Sequence, residues 1–453
     1  MGCLLSSPVE LIHVQRRGSS SFRCAVAETQ GWRVAHEDAH AIGCGSDRGS
    51  FWVLDGHGGT HAAAFGAPAL LEVLAPTAEE KGRPLALDRL VSGFGTVDSR
   101  LRSDCAGDSS KESGSTVVGV LATRGEGETT FTVQLVNCGD SRALLVRPPD
   151  CMETDEGDVE VALPDHIEEL GARAVKLKKQ SYVHAPVWPV IAETVDHKPC
   201  HPTERARILS AGGTVSAEEP ARVDGQLAVS RALGDFEYKS DWRRDPQDQK
   251  VACLPDVYTI SGVLPGSICV LACDGVWDVL SSEFVGKFVH EKLRDNPEAD
   301  LGALCAELIR MSLRRESRDN VTAMIVQFAD GTNSKEASDE ILDFASYKKH
   351  LDDQARGADH VDEETITQSV KFLKRVGFQP QPRPCGWCQT WTQDMSQCPC
   401  KKVFYCGREC QKKAWKDHKP NCPVYKSKDS SPRSEHSAGA AAADAAPAAA
   451  AEP

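Results

Sequence analysis

Phe51-Trp52-Val53-Leu54-Asp55-Gly56-His57-Gly58-Gly59 runs from bulky apolar residues through one acid into a glycine-rich turn. Aromatic and β-branched residues before Asp-Gly read as a strand, Phe51–Leu54, that ends at Asp55. The pattern recurs in LACDGVWDV, where a strand Ile268–Ala272 leads to Asp274. It appears in reverse in SRDNVTAMIV, where Asp319 precedes a strand Val321–Phe328. Glu37 and Asp38 in GWRVAHEDAH add a fourth acidic step. Strand ends are where a sheet can aim side chains from distant positions at one spot. Carboxylates gathered there repel one another unless a cation holds them. All-oxygen donors select hard ions such as Mg²⁺ or Mn²⁺.

Further strands are expected at Thr116–Ala122, Thr129–Val136 and Ala143–Val146, and helices at Leu85–Leu101 and Leu301–Arg314, where apolar residues recur every three or four positions. Strands and helices come in blocks without regular alternation, so the expected class is α+β with sheets as the core. At 453 residues the chain exceeds one ordinary core. Residues 1–21 are expected to be flexible, 22–330 to form the main domain with an insertion at 150–193, and 331–384 to be a helical and Pro-rich linker. Two amphipathic helices are expected after Asp330, the second with Ile366, Val370, Leu373 and Val376 on one face and Gly377 as its C-cap. Residues 385–422 form a cysteine-rich module, and 423–453 a Ser/Ala/Pro tail too simple to fold alone. The net charge of −14 argues against general nucleic-acid binding, and no apolar run is long enough for a spanning helix. With no secretory leader read at the N-terminus, the thiols are expected to be free in a reducing cytosol.

The runs GWRVAHEDAH, FWVLDGHGG, SGSTVV (113–118), NCGDSRA (137–143), DHKP (196–199), GQLAVSRALGD (225–235), LACDGVWDV and SRDNVTAMIV resemble, in order, the signature runs of the metal-dependent (PPM, or type 2C) protein phosphatases. The resemblance implies two stacked β-sheets flanked by helices, an αββα four-layer fold, with a two-metal site at one end. It implies that Asp55 bridges both metals, that Gly56 donates its carbonyl, and that Asp274 and Asp319 complete the first. Glu37 and Asp38 would serve the second, and Asp140 a weaker third. Arg33 would hold the substrate phosphate and His57 would act as general acid. The implied activity is hydrolysis of phosphoserine and phosphothreonine by two-metal activation of a bridging water, and the chemistry is coherent. Metals can lower the pKa of water from about 16 to about 7. Arg33 offers a planar fork for phosphate oxygens, and an imidazole can protonate the leaving alkoxide. The alternative is a catalytically inactive adaptor that keeps the phosphatase fold and acts through its cysteine-rich module. A third reading takes His36-Glu37-Asp38-Ala39-His40 as the HExxH helix of a zinc protease, but no helical period surrounds it.

Seven of the 18 cysteines lie between Cys385 and Cys422, spaced Cys385-x2-Cys388, Cys398-x-Cys400, Cys406-x3-Cys410 and His418-x3-Cys422. Seven thiolates and one imidazole suffice for two closed tetrahedral Zn²⁺ sites. The run CKKVFYCGRECQKKAWKDHKPNC resembles the MYND-type zinc finger, which recruits protein partners, often through proline-containing peptides. That resemblance implies interleaved ligation: Cys385, Cys388, Cys406 and Cys410 on one zinc, and Cys398, Cys400, His418 and Cys422 on the other. The single residue between Cys398 and Cys400 departs from the usual two. Lys401, Lys402, Lys412, Lys413 and Lys416 read as a solvated face. At the N-terminus, Met1-Gly2-Cys3-Leu4-Leu5-Ser6 matches the myristoylation pattern, with Cys3 placed for palmitoylation. Two acyl chains would hold the protein on the cytosolic face of a membrane, with Arg16, Arg17 and Arg23 adding attraction to anionic lipid.

Overall fold

The computed structural model describes residues 4–152, 159–164, 187–329, 337–344, 347, 349, 362–378, 385–388, 396–400, 403–422 and 424–425. They fall in two compact units, Met1–Pro380 and Gln381–Pro453. In the first, a six-stranded antiparallel sheet runs Glu160–Ala162, Asp256–Val263, Phe131–Cys138, Val117–Thr123, Arg48–Leu54, Ala39–Cys44. A seven-stranded antiparallel sheet runs Val190–Glu193, Arg142–Val146, Ile268–Ala272, Val321–Phe328, Phe22–Thr29, Ile12–Gly18, Ser338–Leu342.

The central strands are apolar on both faces, which is why they read as unbroken hydrophobic runs. In Val321–Phe328, Met324, Val326 and Phe328 join Phe51, Val53, Val120 and Leu135 in the core between the sheets. Val321, Ala323 and Ile325 turn the other way, onto helices Ser282–Asp295 and Leu301–Arg314. Trp52 and Leu54 likewise face helices His61–Val73 and Leu87–Cys105. These three cores are the four layers αββα. Each fully buried Val, Leu, Ile or Phe contributes about 1.5–3 kcal/mol. Phe22, Phe51, Phe131 and Phe328 pack their rings together. Because Phe328 pairs with Phe22 and Val321 with Thr29, this aromatic cluster closes the sandwich end opposite Asp319.

Several expectations are corrected. The segment read as a flexible N-terminus forms two strands. Leu4–Val9 pairs with Gly31–Arg33, and Ile12–Gly18 enters the large sheet beside Phe22–Thr29. The apolar residues Leu5, Val9, Leu11, Ile12 and Val14 are buried there, which outweighs a local composition that reads as polar. Arg16 is paired to Asp300 and Glu340, each at 2.6 Å, and Arg17 to Asp339 at 2.7 Å. Arg23 donates to the carbonyls of Pro297 and Ala299. The three arginines expected to attract lipid are thus engaged within the fold.

The stretch 331–384, expected to be a linker, also contributes to the first unit. Ser338–Leu342 is an edge strand against Ile12–Gly18, and the described residues of the first expected helix, Phe344, Tyr347 and Lys349, are helical. The second expected helix is Glu363–Arg375. It ends as anticipated: Gly377 takes φ +81°, and the Phe378 amide donates to the Leu373 carbonyl at 2.8 Å. Ile366 and Leu373 are buried as expected, but the face is centred on Phe372, and Val370 and Val376 lie at its margin. The described ends of the 150–193 insertion, Glu160–Ala162 and Val190–Glu193, are edge strands of the two sheets. Residues 153–158 and 165–186 of the insertion lie outside the described residues, as do Gly2, Cys3, the prolines at 380–384 and the tail from 426.

The second unit pairs Ser396–Gln397 with Phe404–Tyr405 and adds helix Arg408–His418. Among the described residues its buried core is Cys385, Cys398, Tyr405, Ala414 and Cys422. So few apolar groups cannot stabilise a unit of this size unaided.

Candidate active site and zinc centres

The antiparallel register brings the acidic strand ends together. Ala272 pairs with Ala323 on one side and Arg142 on the other, so Asp274, Asp319 and Asp140 leave the large sheet at one end. Asp55 leaves the facing sheet, where its carbonyl accepts from the Thr116 amide at 2.9 Å. A cavity of about 510 Å³ there is lined by Arg33, Glu37, Asp55, Gly56, His57, Asp140, Asp274 and Asp319. Asp38 lies beneath it, buried, with a carboxylate oxygen within 4.8 Å of one from Asp55.

Burial first, and repulsion among Asp274, Asp38, Asp319 and Asp140 second, push the Asp55 carboxyl well above the usual range. Burial and then Asp140 and Asp319 do the same to Asp274. Asp38 Oδ2 accepts from Thr322 Oγ1 at 2.6 Å, whereas Asp38 Oδ1 and Asp274 Oδ1 are buried with no hydrogen-bond partner. Crowded carboxylates with orphaned oxygens fit hard divalent cations. Cys273, also within reach of Asp38 and Asp55, is committed elsewhere: its thiol donates to the Asn320 carbonyl and accepts from the Thr322 amide.

Glycine is required where backbones meet. A Cβ on Gly56 would lie 2.4 Å from the Glu37 carbonyl oxygen, so any side chain there would displace the Glu37–Asp38 loop. Asn320 fixes that loop from below. Its side-chain oxygen accepts from the Glu37 amide at 2.8 Å, and its amide donates to the carbonyls of Gln30 and Ala35. Arg33 donates to Asp319 at 2.5 Å from the cavity rim.

Three groups that sequence reading left without roles act here. Asp235, the last residue of GQLAVSRALGD, holds His57 Nε2 at 2.8 Å. A Cβ on Gly114 would sit 2.2 Å from both partners, so only glycine leaves room for the pair. Burial alone would lower the His57 pKa, but Asp235, then Asp140 and Glu37, outweigh it and keep the imidazole above its ordinary value. The DHKP run positions Asp140. Lys198 pairs with its carboxylate, His197 Nδ1 accepts from the Gly139 amide at 3.0 Å, and Asp196 holds Arg142. Arg375 donates to the His36 and Asp38 carbonyls on either side of Glu37. The matched runs around Asp235 and Lys198 were a usable signal; for Arg375, 49 residues beyond the last run, the sequence offers none.

The HExxH reading fails on geometry. Ala39–Cys44 is a strand, and His36 and His40 turn instead to Glu28, at 3.0 and 3.6 Å.

In the second unit, Cys385, Cys388, Cys406 and Cys410 bring ligand atoms within 4.8 Å of one another, and so do Cys398, Cys400, His418 and Cys422. The interleaving is the one the sequence implies. The shortened Cys398–Cys400 pair still reaches its site, with His418 Nε2 at 3.3 Å from Cys398 and 3.4 Å from Cys400. Lys412, Lys413 and Lys416 are exposed, as a solvated face requires.

A buried carboxylate set beside an arginine and a protonatable histidine defines a metal-assisted hydrolase of phosphate esters. The protein phosphatase 2C family model matches residues 22–151 and 189–321, and the MYND finger model matches 385–422. Protein phosphatase 1B of Rattus norvegicus is 33% identical over 362 residues, covering 76% of this chain and 78% of the relative. Protein phosphatase 1A of Homo sapiens is 32% identical over 341 residues, covering 72% and 76%. A crystal structure of a phosphatase from Toxoplasma gondii shares the fold, with TM-score 0.57 and 21% identity over 73% of this chain and 99% of that one. The chain belongs to the protein phosphatase 2C family: it is a serine/threonine protein phosphatase that carries a MYND zinc finger.

Proposed function

We propose that this phosphatase hydrolyses phosphoserine and phosphothreonine in proteins at a site for two divalent cations, Mg²⁺ or Mn²⁺. Asp55 and the Gly56 carbonyl would help to hold them, with Asp274 and Asp319 serving one cation, Glu37 and Asp38 the other, and Asp140 a weaker third. The observation that carries this reading is the convergence of these oxygens, two of them orphaned, in and just beneath one cavity lined by Arg33 and His57. Cations bound there would supply Lewis-acid activation of the attacking water. Arg33, at the rim, orients the phosphate through its planar fork. His57 donates a proton to the leaving Ser or Thr oxygen, and Asp235 keeps that imidazole charged and aimed. The finger, its zinc sites closed, recruits protein partners.

The test is phosphate release from a phosphothreonine peptide at saturating Mn²⁺, followed against pH. Release should require the added ion, and turnover should fall as pH rises through the His57 pKa, where the acid is lost. Asp235→Asn removes the carboxylate that raises this pKa, so its alkaline limb should move to lower pH. His57→Gln should cost about 10²-fold or more in kcat. An unmoved limb in Asp235→Asn, or release that survives chelation, contradicts the assignment.

We further propose that acylation at Gly2 and Cys3 places the enzyme on the cytosolic face of a membrane, on the strength of the residue 1–6 pattern. One myristoyl chain gives only marginal binding, with K about 10⁴ M⁻¹, so Cys3→Ser should attach loosely and Gly2→Ala should fractionate as soluble. Equal soluble fractions for these and wild type overturn the idea.

A further inference from the structure

Helix Glu363–Arg375 lies against the metal-site loop, although its sequence reads as part of a linker. Four contacts hold it. At its N-terminus, Asp362 caps the Thr365 amide at 3.0 Å and accepts from Ser6 and Ser7 of the first strand. Along its buried face, Phe372 meets the His36 ring edge-on, with centroids 5.4 Å apart. Just past its end, Phe378 meets His13 in the same manner at 5.8 Å. At the last turn, the Arg375 guanidinium donates one hydrogen bond to the His36 carbonyl and another to the Asp38 carbonyl.

The two accepted carbonyls flank Glu37. A rigid planar fork with two partners separated by one residue fixes the backbone between them, which a flexible ammonium cannot do. Asn320 holds the Glu37 amide from the opposite side, at 2.8 Å. Glu37 and Asp38 are therefore presented by a loop pinned on both flanks, and one pin comes from a helix beyond the part of the chain that the phosphatase family model matches.

We propose that Arg375 is a positioning residue for the second cation: it holds the Glu37–Asp38 loop in the conformation that binds metal, and so sets the site's affinity. The proposal rests on Glu37 and Asp38 being ligands. Groups that orient metal ligands from behind typically contribute about 10- to 100-fold in metal affinity. The consequence is specific: removing Arg375 weakens the cation while leaving the phosphate site and the sandwich intact.

The experiment titrates full-length, zinc-loaded protein, stripped of other divalent ions, with Mn²⁺ in a calorimeter and in parallel measures kcat and KM against Mn²⁺ concentration. Arg375→Ala should weaken Mn²⁺ binding at one site about tenfold, raise the Mn²⁺ needed for half-maximal activity equally, and leave KM for substrate at saturating Mn²⁺ unchanged. Arg375→Lys, which keeps the charge without the fork, should bind Mn²⁺ more weakly than wild type. Arg310→Ala breaks the Arg310–Asp343 pair, another tie of the C-terminal segment, and should leave Mn²⁺ affinity as it is. Equal weakening in Arg310→Ala and Arg375→Ala overturns the proposal, because the cause is then general loosening. Full affinity in Arg375→Ala, with loss in Asp38→Asn, overturns the clamp but keeps the ligand reading. Full affinity in Asp38→Asn overturns the ligand reading itself.

Discussion

Asp55→Asn and Asp274→Asn should each lower turnover on a phosphothreonine peptide by at least about 10³-fold. Activation at a metal supplies several kcal/mol of barrier lowering, and each step of about 1.4 kcal/mol is tenfold. An amide is a neutral and poorer ligand, so this stabilisation is lost while the shape of the side chain is kept. The same substitutions should act in the opposite direction on metal-free protein. Both carboxyls are buried among other acids, which raises the pKa of each. Replacing either with an amide relieves like-charge crowding, so the metal-free variants should melt at a higher temperature than metal-free wild type. Activity and stability measured on one preparation separate a ligand from a residue that merely packs. Near wild-type turnover in both variants contradicts the metal assignment; a lower melting temperature contradicts the crowding.

Purified protein should hold two equivalents of zinc in 385–422, and Cys398→Ser and Cys406→Ser should each release one. The core of this unit is largely its own ligands, with Tyr405 and Ala414 as the other buried members. Structural zinc supplies on the order of 10–16 kcal/mol in small peptides, far more than these apolar contacts. Either substitution should therefore open residues 385–422 to proteolysis. Hydrolysis of p-nitrophenyl phosphate should be unaffected, because every group assigned to the reaction lies in the first unit. A single equivalent in wild type would place the failure at the Cys398–Cys400 pair, and none would reject the finger.

The strands Ile268–Ala272 and Val321–Phe328 and the helix Leu301–Arg314 were legible to the residue, because a central strand buries both faces and an amphipathic helix repeats every 3.6 positions. Phe22–Thr29 and Asp256–Val263 were not marked individually. In the first of them Arg23 is bonded to Gln327, 304 positions along the chain, and nothing local announces that. The first two strands were missed for a related reason. Leu4–Val9 pairs with Gly31–Arg33, and Ile12–Gly18 pairs with Ser338–Leu342 and sends Arg16 and Arg17 to acids near residues 300 and 340, so local composition pointed to flexibility.

The residue types of the site were written in the sequence. Acids at strand ends, an Asp-Gly turn before His57 and alternating ligand spacings in the finger each state a local chemical requirement. Only the tertiary structure decided which groups support them. Asp235 reaches His57 across 178 positions, and Arg375 reaches the His36 carbonyl across 339. Such partners are chosen by where the sheets and the last helix bring the backbone. A hydrogen bond constrains two atoms in space and leaves no period, spacing or composition along the chain.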